Sequence, residues 1–215
     1  MLTVGRLLAA PAFALVYVAL PRPLADWVAL ALFIGAALTD FIDGHLARKW
    51  NQITGFGRML DPIADKAMVV IALAVLLGLS GLNPLVVIPA SLILFREVFV
   101  SGLREFLGAD AGRLRVTKLA KWKTTAQMVA IPALLLTGIF QWDYVSIYNQ
   151  IGPQMEAAVL AGETADEFGL RGAVQRFVIA QWVALGLLWV AGLLTVMTGW
   201  DYFAKSLPYL KQPKD

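Results

Sequence analysis

Long apolar runs alternate with short polar segments along the chain and predict a bundle of membrane-spanning helices. A helix needs about 20 predominantly apolar residues to cross the hydrocarbon core of a bilayer. Runs of this kind predict spans at about 4–20, 24–47, 59–79, 85–107, 119–140 and 174–198. Prolines and glycines separate the first span from the second and the third from the fourth, which indicates tight connections. The predicted fold class is therefore all-α, a polytopic six-helix membrane bundle formed by a single domain over residues 1–215.

The basic residues predict how this bundle is oriented. Lys and Arg are enriched on the cytoplasmic side of membrane proteins. One predicted side collects 15 of the 18 basic residues, and the other keeps only Arg22, Arg171 and Arg176. Six spans place both termini on the same side, so we expect both in the cytoplasm. The long polar connection at about 141–173 is then external, with a short interfacial helix at about 154–160.

Composition supports a membrane protein and narrows the possible metal sites. The chain is 59% hydrophobic and 15% charged, and its mean hydropathy is +0.71, values that are atypical of soluble enzymes. It contains no Cys, which excludes disulfides and thiolate metal sites. The first apolar run has no clear small-residue cleavage site and another run follows it directly. We therefore expect it to be a membrane helix and not a signal peptide.

Four aspartates stand where the second and third apolar runs meet, at Asp40, Asp43, Asp61 and Asp65. Ionisable residues in membrane segments are costly, so they indicate a functional site with a positive partner. Within each pair the residues are three or four positions apart and share one face of a helix. Two such helices side by side could converge four carboxylates on one point. Oxygen ligands of this kind suit a hard divalent cation such as Mg²⁺, Mn²⁺ or Ca²⁺.

The spacing around these aspartates resembles the signature of the CDP-alcohol phosphotransferase family, D-x2-D-G-x2-A-R-x8-G-x3-D-x3-D. The chain matches it at Asp40, Asp43, Gly44, Ala47, Arg48, Gly57, Asp61 and Asp65. The resemblance implies that an alcohol attacks the β-phosphate of a CDP-linked donor and releases CMP. It also implies that the four aspartates bind Mg²⁺ or Mn²⁺, as two ions, and that Asp65 is the general base. The donor-binding residues would be Asp40, Gly44, Ala47, Arg48 and Gly57. The alternative, solvated loop charges between two helices, is disfavoured by their intramembrane position.

A later basic stretch bears on the acceptor. The segments from Arg96 to Phe106 and from Val116 to Thr124 resemble R-E-x-x-V-S-G-L-R-E-F and V-S-x-x-G-K-x-K-T in family members that use sn-glycerol 3-phosphate, with Thr117 and Ala120 departing from the second pattern. The resemblance implies CDP-diacylglycerol as donor and glycerol 3-phosphate as acceptor. A phosphate-bearing acceptor beside carboxylates requires a separate basic pocket. The candidates for it are Arg96, Arg104, Arg113, Lys121 and Lys123.

Resemblance at the N-terminus is partial. Leu2, Thr3 and Arg6 match the end of the pattern P-N-x-L-T-x-x-R, whose Pro and Asn are missing here. The resemblance further implies a homodimer surrounded by lipid in the bacterial cytoplasmic membrane, with its active site facing the cytoplasm. Nothing in the pattern indicates a nucleic-acid partner.

Several alternatives remain open from the sequence. Arg96 and Glu97 could instead form intramembrane ion pairs that hold helices together, and the basic residues after them could bind anionic lipid. Within the family, the acceptor could be inositol phosphate, inositol or serine. A cation- or proton-coupled transporter would require charged residues near the midplane of several helices and an internal repeat, and the sequence has neither.

Overall fold

Helices account for nearly all of the chain that the structure describes. The computed structural model describes residues 2–50, 55–108, 112 and 118–210; for 2–3, 40–50, 55–58 and 118 this extends to the backbone only. These ranges contain no strand. The helices are α1 (Leu2–Ala19), α2 (Leu24–Trp50), α3 (Gly55–Leu79), α4 (Pro84–Leu107), α5 (Lys118–Ala161) and α6 (Leu170–Leu210). The predicted all-α class is confirmed.

Four of these helices contain segments that are long and apolar enough to cross a membrane. They are Met59–Leu79, Pro84–Leu107, Leu119–Ala161 and Leu170–Leu210 among the described residues. The apolar parts of α1 and α2 are shorter, at Val4–Ala19 and Leu24–Thr39. The membrane character of the chain is thereby supported. Six full spans, and cytoplasmic termini, stay predictions.

The connection predicted at about 141–173 is mostly helical and not a loop, whereas its external position stays a prediction. Helix α5 runs to Ala161, with one break at Gly152 (φ 76°, ψ 170°), and α6 begins at Leu170. Glycine adopts such a positive φ at little steric cost. The predicted short helix at 154–160 coincides with the part of α5 that follows this break. The Asp166 carboxylate then caps α6, accepting hydrogen bonds from the backbone N–H groups of Leu170 (2.7 Å) and Arg171 (3.0 Å).

The described chain forms two compact units. The first unit comprises Met1–Ala72 and Ile131–Leu185. In it, the ring of Phe13 in α1 meets that of Phe33 in α2 edge to face, with their centroids 6.4 Å apart. Asp26, which is fully buried, accepts hydrogen bonds from Arg22 Nε (2.8 Å) and the Tyr17 hydroxyl (3.1 Å). This polar cluster is packed against Gly138 of α5, where an added Cβ would lie 2.7 Å from Arg22 Nη2.

The second unit comprises Leu73–Ala130 and Gly186–Asp215. Its α4 and α6 approach closely at two glycines of α6. A Cβ added at Gly192 would lie 3.1 Å from Pro89 Cβ, and one at Gly199 would lie 3.0 Å from Arg96 Cγ. Both contacts advance by seven residues along each helix, so α4 and α6 run in the same direction. Small residues at such points let membrane helices pack closely.

Candidate active site

Two of the four predicted metal ligands, Asp61 and Asp65, pair with the side chain of the same arginine in the first unit. Arg6 of α1 donates from Nη2 to Asp61 Oδ1 at 3.0 Å and from Nη1 to Asp65 Oδ1 at 2.9 Å. The arginine side chain is only 5% exposed, whereas the carboxylates are 47% and 43% exposed. The two carboxylates therefore share a buried positive partner and keep nearly half of their surface accessible to a ligand.

Helix geometry explains why these carboxylates lie together. Residues four positions apart on a helix point to nearly the same side, and Asp61 and Asp65 have this spacing. Leu60, Ala64 and Met68 form the buried stripe of the same part of α3. The aspartates follow this stripe by one position, about 100° around the helix. They are thus at the border of the packed face, where they can meet Arg6 and remain open on one side.

This pair of side chains fits a hard divalent cation. Both carboxylates direct an oxygen at the same guanidinium, which shows that they converge where positive charge is stabilised. Carboxylate oxygens are the preferred protein ligands of Mg²⁺ and Mn²⁺. Among the side chains that the structure describes, no group of three or more acidic or His residues could hold a metal. A site with more ligands requires residues beyond that set.

The other signature residues lie in α2 and at the start of α3, where the structure describes the backbone only. Their side chains lie outside the described residues, so the predicted roles of this group stay predictions: Asp40, Asp43, Gly44, Ala47, Arg48 and Gly57. Helix α2 does run continuously through the five of them that precede Trp50. The structure therefore brings together the side chains of Asp61 and Asp65, and those of Asp40 and Asp43 are not described.

Arg6 is a site residue that the predicted set does not contain. Two signals pointed to it. It is the one charged residue of the first predicted span, 4–20, and a basic side chain in such a span normally has an acidic partner. It also ends the partial N-terminal pattern L-T-x-x-R. Neither signal identifies which carboxylates it contacts, because its partners are 55 and 59 positions away in the sequence.

Two predicted acceptor-binding residues are engaged with a buried carboxylate in the second unit. Arg96 Nη1 donates to Glu97 Oε1 at 3.1 Å, and Lys123 Nζ of α5 donates to the same oxygen. Glu97 is 7% exposed and Lys123 is 6% exposed. This arrangement favours the alternative in which Arg96 and Glu97 belong to intramembrane ion pairs. A nearby hydrogen bond from Gln127 of α5 to Thr195 of α6, at 3.1 Å, is also buried.

Arg104 and Lys121 are in a different situation, because both are exposed. Arg104 is in the last turn of α4, and its Cζ lies 5.3 Å from the ring centroid of Tyr202 in α6. Within the described chain, Arg104 makes no ion pair. The predicted residue Arg113 lies outside the described residues. Tyr202 was not predicted, since an aromatic residue in an apolar helix carries no distinguishing signal in a sequence.

Comparison with known proteins identifies the family. Residues 1–200 match the family model described as CDP-alcohol phosphatidyltransferase. The chain belongs to this family. The predicted resemblance, based on eight residues of the signature, is confirmed. CDP-alcohol phosphatidyltransferases are generally dependent on divalent metal, which agrees with the carboxylate pair on α3.

Two relatives of this CDP-alcohol phosphatidyltransferase align with nearly its full length, and a third aligns with about two thirds of it. It is 58% identical over 214 residues, 99% of this chain and 96% of the relative, to the CDP-diacylglycerol–glycerol-3-phosphate 3-phosphatidyltransferase of Cereibacter sphaeroides. The protein of the same name from Rickettsia bellii is 36% identical over 208 residues, 97% of this chain and 94% of the relative. That of Shigella flexneri is 42% identical over 150 residues, 68% of this chain and 81% of the relative.

Proposed function

We propose that the chain transfers a phosphatidyl group from CDP-diacylglycerol to sn-glycerol 3-phosphate. The products are phosphatidylglycerophosphate and CMP, so the reaction belongs to phospholipid biosynthesis. The observation that carries this proposal is the 58% identity, across 99% of the chain, to a relative that is named for the same transfer. The carboxylate pair of Asp61 and Asp65 supplies the matching chemistry.

The four aspartates of the signature would hold the divalent metal, Mg²⁺ or Mn²⁺, as two ions. They are Asp40, Asp43, Asp61 and Asp65. When bound, the metal offsets negative charge on the donor diphosphate and on the departing CMP. Arg6 acts beside it by fixing the orientation of two of these carboxylates, at 3.0 and 2.9 Å. Groups that orient metal ligands in this way normally contribute to metal affinity.

Asp65 is the proposed general base. The acceptor hydroxyl is a weak nucleophile at neutral pH and needs a base within hydrogen-bond reach. Its oxygen forms a bond to the β-phosphorus of the donor, the bond from that phosphorus to the CMP oxygen breaks, and the Asp65 carboxylate takes the hydroxyl proton. The partial exposure of Asp65 leaves room for an acceptor to approach it. Arg48 and the glycines of the signature are the proposed contacts for the CDP group.

The predicted ligands of the acceptor phosphate differ in whether they already have a carboxylate partner, and this difference ranks them. Arg96 and Lys123 already share the Glu97 carboxylate. Arg104 and Lys121 are exposed, and Arg104 has no carboxylate partner among the residues with described side chains. We therefore place Arg104 first and Lys121 second as ligands of the glycerol 3-phosphate dianion. Arg113, Arg96 and Lys123 remain further candidates.

The proposed location is the bacterial cytoplasmic membrane, as a homodimer, with the site facing the cytoplasm. CDP-linked donors and Mg²⁺ are available on that side, and the excess of basic residues on one predicted side supports this orientation. The apolar lengths of α3 to α6 support a membrane location.

An acceptor panel tests the proposed reaction. Protein purified in detergent is given CDP-diacylglycerol with glycerol 3-phosphate, inositol phosphate, inositol or serine, and CMP release is followed. We expect the fastest release with glycerol 3-phosphate, loss of release in EDTA, and recovery with Mg²⁺ or Mn²⁺. Faster release with another acceptor would refute the proposed acceptor, and full turnover in EDTA would refute the metal.

Arg104→Ala tests the acceptor pocket. The loss of a charge-assisted contact to phosphate should raise the KM for glycerol 3-phosphate at least about tenfold, or about 1.4 kcal/mol, while the KM for CDP-diacylglycerol changes much less. Lys205→Ala is the matched control, because Lys205 is an exposed cation of the second unit that already pairs with Asp201 at 2.7 Å. Equal effects on both substrates would assign Arg104 to structure or donor binding.

A further inference from the structure

We propose that the aromatic ring of Tyr202 positions Arg104 to bind the phosphate of the acceptor. The ring face, and not the tyrosine hydroxyl, is the part that acts. Tyr202 is thus a positioning residue on α6 for a ligand-binding arginine on α4. This inference rests on the proposed function, because it presupposes that Arg104 contacts the acceptor.

The geometry of the pair carries the first step. Arg104 Cζ lies over the Tyr202 ring, 5.3 Å from its centroid. A guanidinium within about 6 Å of a ring centroid is attracted by the negative face of the ring. Tyr202 is 8% exposed, whereas Arg104 is exposed. A buried, fixed ring therefore holds one face of a cation whose remaining surface is accessible to a soluble ligand.

The kind of partner matters as much as its position. A carboxylate partner occupies N–H donors of a guanidinium and cancels its charge, as Glu97 does for Arg96 at 3.1 Å. An aromatic face attracts the cation without accepting its in-plane hydrogen bonds. Arg104 consequently keeps its full charge and its planar set of donors. Those donors are the groups that bind a phosphate in a bidentate manner.

The hydroxyl of Tyr202 is excluded as the active group by its surroundings. It is inaccessible to solvent and has no hydrogen-bond partner in the part of the chain described. A soluble acceptor cannot reach an atom in that position. Buried tyrosine hydroxyls usually have a partner. Because this one has none among the described residues, its removal breaks no hydrogen bond that the structure describes.

Neighbouring rings keep this part of α6 against α4. Phe203 follows Tyr202, and its ring centroid is 5.7 Å from that of Phe99 in α4 and 5.9 Å from that of Trp200. These contacts fix α6 locally but do not include Arg104. Phe203 therefore offers a matched control, an aromatic ring on the same helix that should not affect the acceptor.

The experiment compares steady-state kinetics of single and double variants of the full chain. We expect Tyr202→Leu to raise the KM for glycerol 3-phosphate about three- to tenfold, with kcat and the KM for CDP-diacylglycerol within about twofold. Tyr202→Phe should have the same KM for glycerol 3-phosphate as the unmutated chain, because it keeps the ring. Phe203→Leu should leave the ratio of the two KM values unchanged. Adding Tyr202→Leu to Arg104→Ala should raise the acceptor KM no further, because the two residues act as a unit.

A series of fluorinated rings at position 202 separates the electrostatic effect of the ring from any effect of the substitution on folding. Phenylalanine analogues with increasing fluorination at position 202 keep the shape of the ring while weakening its negative face, so the acceptor KM should rise stepwise with fluorine content. A flat series, or a Tyr202→Phe variant as impaired as Tyr202→Leu, would overturn the proposed role of the ring. If Arg104→Ala has no selective effect on the acceptor, the acceptor role of Arg104 fails instead. The acceptor panel judges the reaction itself independently of both results.

Discussion

Glu97 offers the most direct test of how the second unit tolerates charge inside a membrane helix. The perturbation is Glu97→Gln, which keeps the shape of the side chain and removes its charge. Arg96 and Lys123 would then face a neutral oxygen in place of a carboxylate. Because Glu97 is 7% exposed and Lys123 is 6% exposed, neither can easily turn to water.

The magnitude follows from the separations. At 3.1 Å, the attraction between Arg96 and Glu97 is about 5 kcal/mol for an effective dielectric constant of about 20. Glutamine retains hydrogen bonds to both cations, and the arginine can move partly outward, so the net loss is smaller. Breaking a buried ion pair from one side typically costs about 3–5 kcal/mol. For a chain of 215 residues this corresponds to a Tm lowered by roughly 6–20 °C.

Thermal unfolding in detergent, followed by tryptophan fluorescence, measures this loss. Glu105→Gln is the matched control, since Glu105 is an exposed residue of the same helix and should change stability by no more than about 0.5 kcal/mol. Adding Lys123→Met to Glu97→Gln should recover part of the lost Tm, because it removes a buried cation whose contact with the Glu97 carboxylate has been lost. Equal Tm values for the two glutamine variants would show that the charge of Glu97 does not stabilise the second unit.

Three further predictions concern other parts of the molecule. Asp61→Asn should lower CMP release at least about a hundredfold, because it removes a proposed metal ligand, and a folded protein with full activity would contradict the site. Gly138→Val should cost about 1–3 kcal/mol in thermal unfolding, because its Cβ would be 2.7 Å from Arg22 Nη2 and 3.3 Å from Oδ1 of the buried Asp26, so that this ion pair would have to shift. Gly186→Val, with nothing within 4 Å of its Cβ, should not. Thr164→Cys, in a chain without native Cys, should react with an impermeant thiol reagent applied to intact cells stripped of their outer membrane; labelling only after lysis would reverse the predicted orientation.

Local regularities made much of this molecule predictable from its sequence. The apolar runs identified the six helices of the described residues, because long uninterrupted apolar segments are typical of helices that cross a bilayer. The common side of Asp61 and Asp65 followed from their spacing on a helix, as did the family from eight fixed positions. Each of these features depends on residues close together in the chain.

Two kinds of feature were not predictable in this way. They are contacts between residues far apart in the sequence, and helical segments that continue beyond the predicted spans. Hydropathy identifies the apolar part of a helix and not the residue at which the helix ends. The polar continuation of α5 to Ala161 was therefore missed. Arg6 required a carboxylate, but only the folded chain selects Asp61 and Asp65 for it. The same holds for Tyr202, whose ring acquires a role only when α6 packs against α4.

The close packing of α4 and α6 also restricts how the lengths of these helices can change in evolution. Pro89 and Arg96 are opposite Gly192 and Gly199, and the two contacts are seven positions apart on each helix. Deleting one residue between the two glycines would rotate the rest of α6 by about 100°. It would also bring Trp200 into the register position of Gly199, where the stem of Arg96 leaves no room for a large side chain. Insertions and deletions in these two segments should therefore be absent from functional relatives, or should occur in both helices together.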